Sequence, residues 1–437
     1  MSENKYYHKD IETMSVEQIK ELQGKRLAEQ FRYVYENVEY YRNRCIEAGV
    51  TPDDVKGLED LHKVPFTCKD DLRATYPYGL FAAPLKDVVR LHASSGTTGK
   101  QIVVGYTKED LDIWDDLVAR QLVAIGASKD DFVHVAYGYG LFTGGLGVHG
   151  GASKVGCTVI PISAGNTPRQ ITVMHDFGST ILCCTPSYAA YLGETLHDMG
   201  YDTSYLNLKA GIFGAEPWTE GMRKDIEKSL GIKAYDIYGL TEIMGPGVAY
   251  ECQAQDGMHV NEDHFIVETI DPETGKQLPE GSKGELVFTC LTKKAFPLMR
   301  FRTKDIGVLN REVCSCGRTF VRMSKPMGRT DDMLIIRGVN VFPSTIESII
   351  LEFPECEPYY MIEVDRVNNT DTFDIQVEVK PEFYTDRITE LAALKKRITA
   401  RVQSVVGISP NIKIVEPNTI ERSMGKAKHA IDHRKFT

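Results

Sequence analysis

Long apolar runs are missing from this chain: nowhere do about 18 apolar residues follow one another, which excludes an evident transmembrane helix. The opening stretch, residues 1–10, lacks the apolar core of a signal peptide, so export is not expected. Positive charge is also in short supply. Against 61 Asp and Glu stand 51 Lys and Arg, a net charge of -10. That argues against a dedicated nucleic-acid binder, which needs a cationic face to displace phosphate counterions. It leaves room for a local basic cleft around a polyanionic cofactor. Internal repeats and low-complexity tracts are absent. Without an export signal the ten cysteines are expected as reduced thiols in a cytoplasmic protein. Neither nucleic acid nor membrane is an expected partner.

What is present is a globular composition, with 42% hydrophobic and 26% charged residues. A chain of 437 residues exceeds one ordinary core, so two or more domains are expected. The spacing of Ile19, Leu22, Leu27, Phe31, Tyr35 and Val38 predicts a helix over 14–49. Short apolar runs then alternate with helical stretches, at 132–136, 158–162, 180–184, 210–213 and 233–237. That alternation predicts an α/β fold with parallel strands covered on both faces. The stretch 259–325 reads as strand-rich, with a turn at 271–275. A second, small α+β domain is expected from about Gly328. It would hold a helix with Ile346, Ile349, Ile350 and Phe353 apolar, and strands near 359–365, 372–380 and 411–415. A second helix would present Ile388, Leu391, Leu394, Ile398, Val402 and Val405 on one face. The basic tail from Lys426 to Thr437 reads by composition as a frayed end.

The sharpest local signal is Ser94, Ser95, Gly96, Thr97, Thr98, Gly99 and Lys100. Two glycines permit a tight turn in which backbone N–H groups converge on one anion, and hydroxyls and a lysine add donors and charge, as a triphosphate requires. It is not a Walker A loop, which needs glycine at the place of Ser94 and a hydroxyl at the place of Gln101. Alone, such a loop is more often a flexible turn. Four further motifs follow in order: Tyr238-Gly-Leu-Thr-Glu242, Arg300-Phe-Arg-Thr-Lys-Asp305, Gly328-Arg-Thr-Asp331 and Ser423-Met-Gly-Lys426. Together the set resembles the adenylate-forming superfamily of acyl-CoA synthetases, luciferases and peptide-synthetase adenylation domains, with matches from about 90 to 430. Residues 137–145, 213–218, 235–242 and 337–343 are most similar to phenylacetate-CoA ligases within it.

The resemblance implies a large multi-sheet N-terminal domain, 1–327, that binds ATP and acid, and a small mobile α+β lid, 328–437. It implies ligation of an aryl acid, with phenylacetate the leading guess, to coenzyme A through an acyl-adenylate, releasing AMP and pyrophosphate. A non-CoA acceptor, or a non-catalytic nucleotide-binding protein of the same fold, stays open. Attack of a carboxylate on the α-phosphate is catalysed chiefly by positioning and charge neutralisation. By resemblance, Glu242 would hold Mg2+, Thr241 would touch the α-phosphate, and Asp305 would accept both ribose hydroxyls. Ala215, Glu216, Pro217, Asp236 and Tyr238 would line the adenine slot, Gly239 would also lie against ATP, and Arg302 and Arg329 would bracket the nucleotide. Lys426 would offset charge at the reacting oxygens. The lid would then turn about Asp331 to bring Arg337, Gly338 and Asn340 to the coenzyme A step. Tyr137, Tyr139, Gly140, Phe142 and Ala215 would form the acid pocket, although core packing explains such residues as often. A homodimer is compatible with the resemblance and nothing more.

One constellation stands apart. Cys314 and Cys316 lie in a turn between strands, and Cys252 and His259 flank the preceding region. Three thiolates and an imidazole suit a tetrahedral structural Zn2+. The Cys-x-Cys spacing is shorter than usual, His264 could replace His259, and reduced loop thiols are an equal alternative.

Overall fold

The computed structural model describes residues 5–94, 101–330, 334–337, 339–367, 370–384, 388–422 and 429–434. Ser95 to Lys100, Asp331, Gly338, Lys426 and the side chain of Asn340 lie outside the described residues. The chain divides into two compact units, one of 1–184, 204–215 and 232–325, the other of 185–203, 216–231 and 326–437.

The first unit is built on a nine-stranded sheet. From one edge run Thr158–Ile160, Phe132–Val135, Ile181–Cys184, Ala210–Gly214 and Lys233–Leu240, all parallel. These are the five runs anticipated from the sequence. Every residue of Ile181–Cys184 and Ala210–Gly214 is buried, as apolar strands covered on both faces must be. Beyond Lys233–Leu240 the sheet turns antiparallel through Gly245–Glu251, Met258–Val260, Arg322–Met323 and Leu309–Asn310. A separate antiparallel sheet joins Phe265–Ile270, Gly284–Cys290 and Phe301–Gly307. Its expected turn is pinned by Asp271 Oδ1, which accepts from the N–H groups of Glu273 and Thr274.

The helix expected over 14–49 is two helices, Val16–Asn37 and Glu39–Glu47. Ser15 and Gln18 cap the first reciprocally. The break falls at Val38, whose extended backbone lets both Val38 and Tyr41 reach the core. The buried face carries amides besides apolar groups. Gln23 donates to the carbonyls of Glu262 and Phe265, and Gln30 to that of Lys293. Trp114, on the helix Lys108–Ala124, stacks on Tyr106 with ring centres 4.9 Å apart, and its Nε1 donates to Pro246 O.

The second unit has a four-stranded sheet in the order Asn411–Val415, Thr370–Val379, Cys356–Val367, Ala430–Asp432. The helices Pro343–Ile350 and Ile388–Val406 share its core through Ile346, Ile349, Ile350, Leu394, Ile398 and Val402. Val405 is 45% exposed, one helical step off the face assigned to it. The tail is not frayed at 430–432: this piece pairs in parallel with Cys356–Val367, because its alternating Ala430 and Ile431 match the register of Ile362 to Val364. The unit also takes in the helices Pro186–Asp198 and Glu220–Leu230, from the stretch that a boundary near 328 assigns to the first domain. Trp218 belongs to it, with the Arg223 guanidinium 4.8 Å over its ring. Among the described residues no helix is long and apolar enough to cross a membrane.

Candidate active site

The strand Lys233–Leu240 and the turn after it carry most of the candidate residues in the first unit. Asp236 is fixed through its backbone: its N–H donates to Glu251 Oε2 at 2.8 Å, and its carbonyl accepts from Gln121 at 2.9 Å. Two residues on, the Tyr238 hydroxyl donates to Asp305 Oδ2 at 2.6 Å. The Tyr238 ring stacks on Phe288 at 5.8 Å, which covers one face. Gly239 is dictated by crowding, since an added Cβ would lie 1.7 Å from Gly245 O. The strand can therefore fold straight back into Gly245–Glu251. In the intervening turn the N–H groups of Ile243 and Met244 both donate to Leu240 O. That turn presents Thr241, whose Oγ1 lies 3.4 Å from Thr143 Oγ1, and Glu242, whose Oε1 lies 3.6 Å from Lys69 Nζ.

Thus Tyr238, Thr241, Glu242 and Asp305 come from two strands and one turn of the same unit. The Ser/Thr/Gly loop is entered from a hairpin of Arg90–Ala93 and Val103–Tyr106, also in this unit. At its described ends Ser94 N–H donates to Ile102 O, and Ile102 N–H to Ser94 Oγ.

Arg302 is anchored by a carboxylate of the neighbouring strand. It grips the fully buried Glu285 through Nε and a terminal nitrogen, and also donates to Pro272 O at 2.7 Å. In the second unit Glu216 Oε1 accepts from Ser187 N–H at 2.7 Å, while Ala215, at the end of the first unit's strand, holds a left-handed φ of 75°. Arg337, also left-handed at φ 50°, donates through Nε to Asp371 O. Asp371 itself is held low by Arg366 first, with Arg337 N–H and Arg434 adding to it.

The acid-pocket candidates form the entry to the helix Thr143–Val155. Tyr137 is buried and Phe142 is 41% exposed. Glycines allow this entry to be tight: a Cβ on Gly145 would lie 2.9 Å from Gly138 O, and one on Gly144 would lie 2.7 Å from the Phe142 ring. The Tyr139 hydroxyl is 3.3 Å from His149 Nδ1, and burial raises its pKa above the ordinary tyrosine range.

Three neighbours were not read from the sequence as site residues: Lys69, Thr143 and Lys293. Lysine and threonine are common, and no spacing marks these ones. Thr143 alone sat within a quoted motif, 137–145.

Two metals can be tested against these side chains. The Glu242 carboxylate is 5% exposed and already faces an ammonium, beside the Thr241 hydroxyl; hard oxygen donors of this kind suit Mg2+. For the thiol cluster, a tetrahedral zinc with bonds of about 2.3 Å to sulfur and 2.0 Å to nitrogen has S–S edges of about 3.8 Å and S–N edges of about 3.5 Å. Cys252 and Cys314 place their sulfurs 3.8 Å apart, and Cys316 Sγ lies 3.5 Å from His259 Nε2. All four ligand atoms lie within 4.8 Å of one another. The Cys316 thiol is held low by the hydrogen bond from Cys252 first, and then by His259. His264 is engaged with Thr292 and Asp263, which selects His259 as the imidazole of the set.

The sequence pattern of the AMP-binding enzyme family matches residues 16–289, and that of the AMP-binding enzyme C-terminal domain matches 338–434. The chain belongs to this family, and its class is the adenylate-forming enzymes. More particularly, it is 48% identical to the phenylacetate-coenzyme A ligase of Thermus thermophilus, over 98% of this chain and 100% of that one. To the phenylacetate-coenzyme A ligase of Escherichia coli it is 49% identical, over 97% of each. Among solved structures, 2-hydroxyisobutyryl-CoA ligase in the postadenylation state with 2-HIB-AMP is similar at a TM-score of 0.93 and 27% identity, covering 99% of this chain and 93% of that one. The same ligase with 2-HIB-AMP and CoA in the thioesterification state gives a TM-score of 0.73 at 28% identity, covering 100% and 94%.

Proposed function

We propose that this chain is an AMP-forming acid–coenzyme A ligase whose acid is phenylacetate or a closely related aryl acid. The observation that carries the reading is the meeting of Tyr238, Asp305, Thr241 and Glu242 in one unit of a chain about half identical, end to end, to phenylacetate-coenzyme A ligases.

In the first half-reaction a carboxylate oxygen attacks the α-phosphorus of ATP and pyrophosphate leaves. Asp305, its carboxylate oriented by Tyr238, accepts hydrogen bonds from the ribose hydroxyls. Ala215, Glu216, Pro217 and Asp236 border the base. The Thr241 hydroxyl and the 94–100 loop hold phosphate oxygens, and Glu242 is the residue that would hold Mg2+, which supplies charge neutralisation at the phosphates. Lys426 offsets charge at the reacting oxygens. In the second half-reaction the coenzyme A thiol sulfur attacks the acyl carbon, the C–O bond to AMP breaks, and AMP leaves. Asp331 is the pivot of a lid over 328–437, and the loop of Arg337, Gly338 and Asn340 serves this step. Tyr137, Tyr139, Gly140 and Phe142 border the aryl ring.

Cys252, His259, Cys314 and Cys316 hold one structural zinc ion in this reading, remote in role from the chemistry. None of the ten cysteines is in a disulfide, which suits a reducing, cytoplasmic setting.

The test is acid-dependent exchange of pyrophosphate into ATP without coenzyme A, followed by detection of thioester and AMP once it is added. A panel of phenylacetate, hydroxyphenylacetate, indoleacetate, benzoate and short fatty acids would be used. Exchange with phenylacetate and thioester formation are expected. Exchange without thioester would move the chain to another acceptor, and no exchange with any aryl acid would refute the substrate assignment.

A further inference from the structure

Lys293 is a lysine buried to the last atom, with 0% exposure, in the first unit. Taking an ammonium out of water costs several kcal/mol unless its surroundings return the loss. Here the return is modest. Nζ donates one hydrogen bond, 2.8 Å to Ile243 O, and lies over the rings of Tyr106 at 4.3 Å and Phe296 at 5.7 Å. Among the described residues it forms no ion pair. A methionine would cover the same rings at no charge penalty. The cation must therefore act on what it touches.

Ile243 follows Glu242 in the turn that presents the candidate metal ligand. The carbonyls after Glu242 are held in series from one side: Ile243 O by Lys293, Met244 O by the Tyr106 hydroxyl at 3.1 Å, and Pro246 O by Trp114. The base of this support is itself fixed. Gln30 donates to Lys293 O, and the N–H groups of Lys294 and Ala295 donate to the fully buried Asp110. Lys69 also approaches this turn, pairing with Glu242 through a side chain that is 39% exposed.

We propose that Lys293 is a positioning residue: its ammonium fixes the Ile243 carbonyl and thereby aims the Thr241 hydroxyl and Glu242 carboxylate at metal-bound phosphates. This rests on the proposed assignment of Glu242. Burial draws the Lys293 pKa down to about 8, opposed by Cys290, Asp110 and Glu242, so the clamp is charged at neutral pH and discharges as pH rises past that value.

The test is Lys293→Met in the full chain, with MgATP binding measured by calorimetry across a Mg2+ titration and turnover measured by pyrophosphate exchange. The variant is expected to melt cooperatively and to keep its KM for the acid. Its half-saturating Mg2+ should rise about tenfold, and its exchange kcat should fall about 10- to 100-fold, the size of effect that misplacement by about 1 Å produces. A Mg2+ requirement and kcat within twofold of the native protein would overturn the proposal, as would a uniform loss matching the fraction unfolded. Should the variant not fold, native protein titrated with Mg2+ at pH 7 and pH 9 decides: an unchanged Mg2+ requirement counts against the clamp, and a raised one supports it. Absence of exchange with every acid would count against the proposed function, while the calorimetry still decides Lys293.

Discussion

The Tyr238 hydroxyl and the Asp305 carboxylate meet at 2.6 Å with both residues almost fully buried, at 7% and 4% exposure. One carboxylate oxygen is thereby oriented before any nucleotide arrives. Tyr238→Phe removes a hydrogen bond to a charged group, worth about 1.5–3 kcal/mol, so the KM for ATP should rise roughly 10- to 100-fold while the KM for the acid stays constant. Asp305→Asn should cost more, because the NH2 that replaces one carboxylate oxygen cannot accept from a ribose hydroxyl and the charge is lost. Pyrophosphate exchange kinetics read both variants, and an unchanged ATP KM in Tyr238→Phe would remove Asp305 from the ribose.

The parallel half of the large sheet was legible because strands buried on both faces must be apolar throughout, as Ile181–Cys184 is. The antiparallel return at Gly245–Glu251 was not, since the turn before it is closed by two N–H groups on Leu240 O and not by a standard hairpin dipeptide. Ser94, Thr241, Glu242 and Asp305 could be picked out as candidates because they stand in motifs of recognisable order along the chain. Lys69 and Lys293 could not: their significance comes from placement against Glu242 and Ile243, which no local spacing encodes. The grip of Arg302 on Glu285 was equally hidden, since it joins residues 17 positions apart across two strands. The break at Val38 and the strand at 430–432 were hidden for a related reason, as burial there is decided by distant segments.

The thiol cluster makes a compositional prediction. Purified protein should carry about one zinc per chain by elemental analysis, and Cys314→Ser should lose it. Loss should lower thermal stability, because binding free energy at such sites is folding free energy. Native protein free of zinc after expression in zinc-replete medium would leave the cluster as reduced thiols.

Acid sensitivity should arise in part from His134. Fully buried, it donates to Gln170 Oε1 at 2.6 Å as the neutral ring, and desolvation pulls its pKa down to about 4. Above pH 6.5 the ring is neutral whether the chain is folded or not. Below that the unfolded chain takes up the proton first, so stability falls until the folded ring also titrates. The loss should be about 2 kcal/mol by pH 5. Urea unfolding of native protein and His134→Asn at pH 7 and pH 5 checks this: the variant should lose less on acidification, and an equal loss would clear His134.

Glu378 should be critical to the second unit. With 0% exposure it accepts from the N–H groups of Asn418 and Ile420 and from both terminal nitrogens of Arg422, whose guanidinium lies 3.3 Å over the Tyr359 ring. Four residues further along is Lys426. Glu378→Ala leaves the Asn418 and Ile420 N–H groups without their acceptor and Arg422 with Glu194, at 3.9 Å, as its remaining carboxylate, and should destabilise by about 1–3 kcal/mol. Where it still folds, exchange kcat should drop with little change in acid KM. A melt within about 1 °C of the native value would show that the anchor is dispensable.

The chain contains only two tryptophans, and the fold places Trp114 in one unit and Trp218 in the other. Each unit thus has its own intrinsic fluorophore, one stacked on a tyrosine and one beneath a guanidinium. Single Trp→Phe variants would leave an optical reporter for either half, with no dye attached, through every stage of a catalytic cycle.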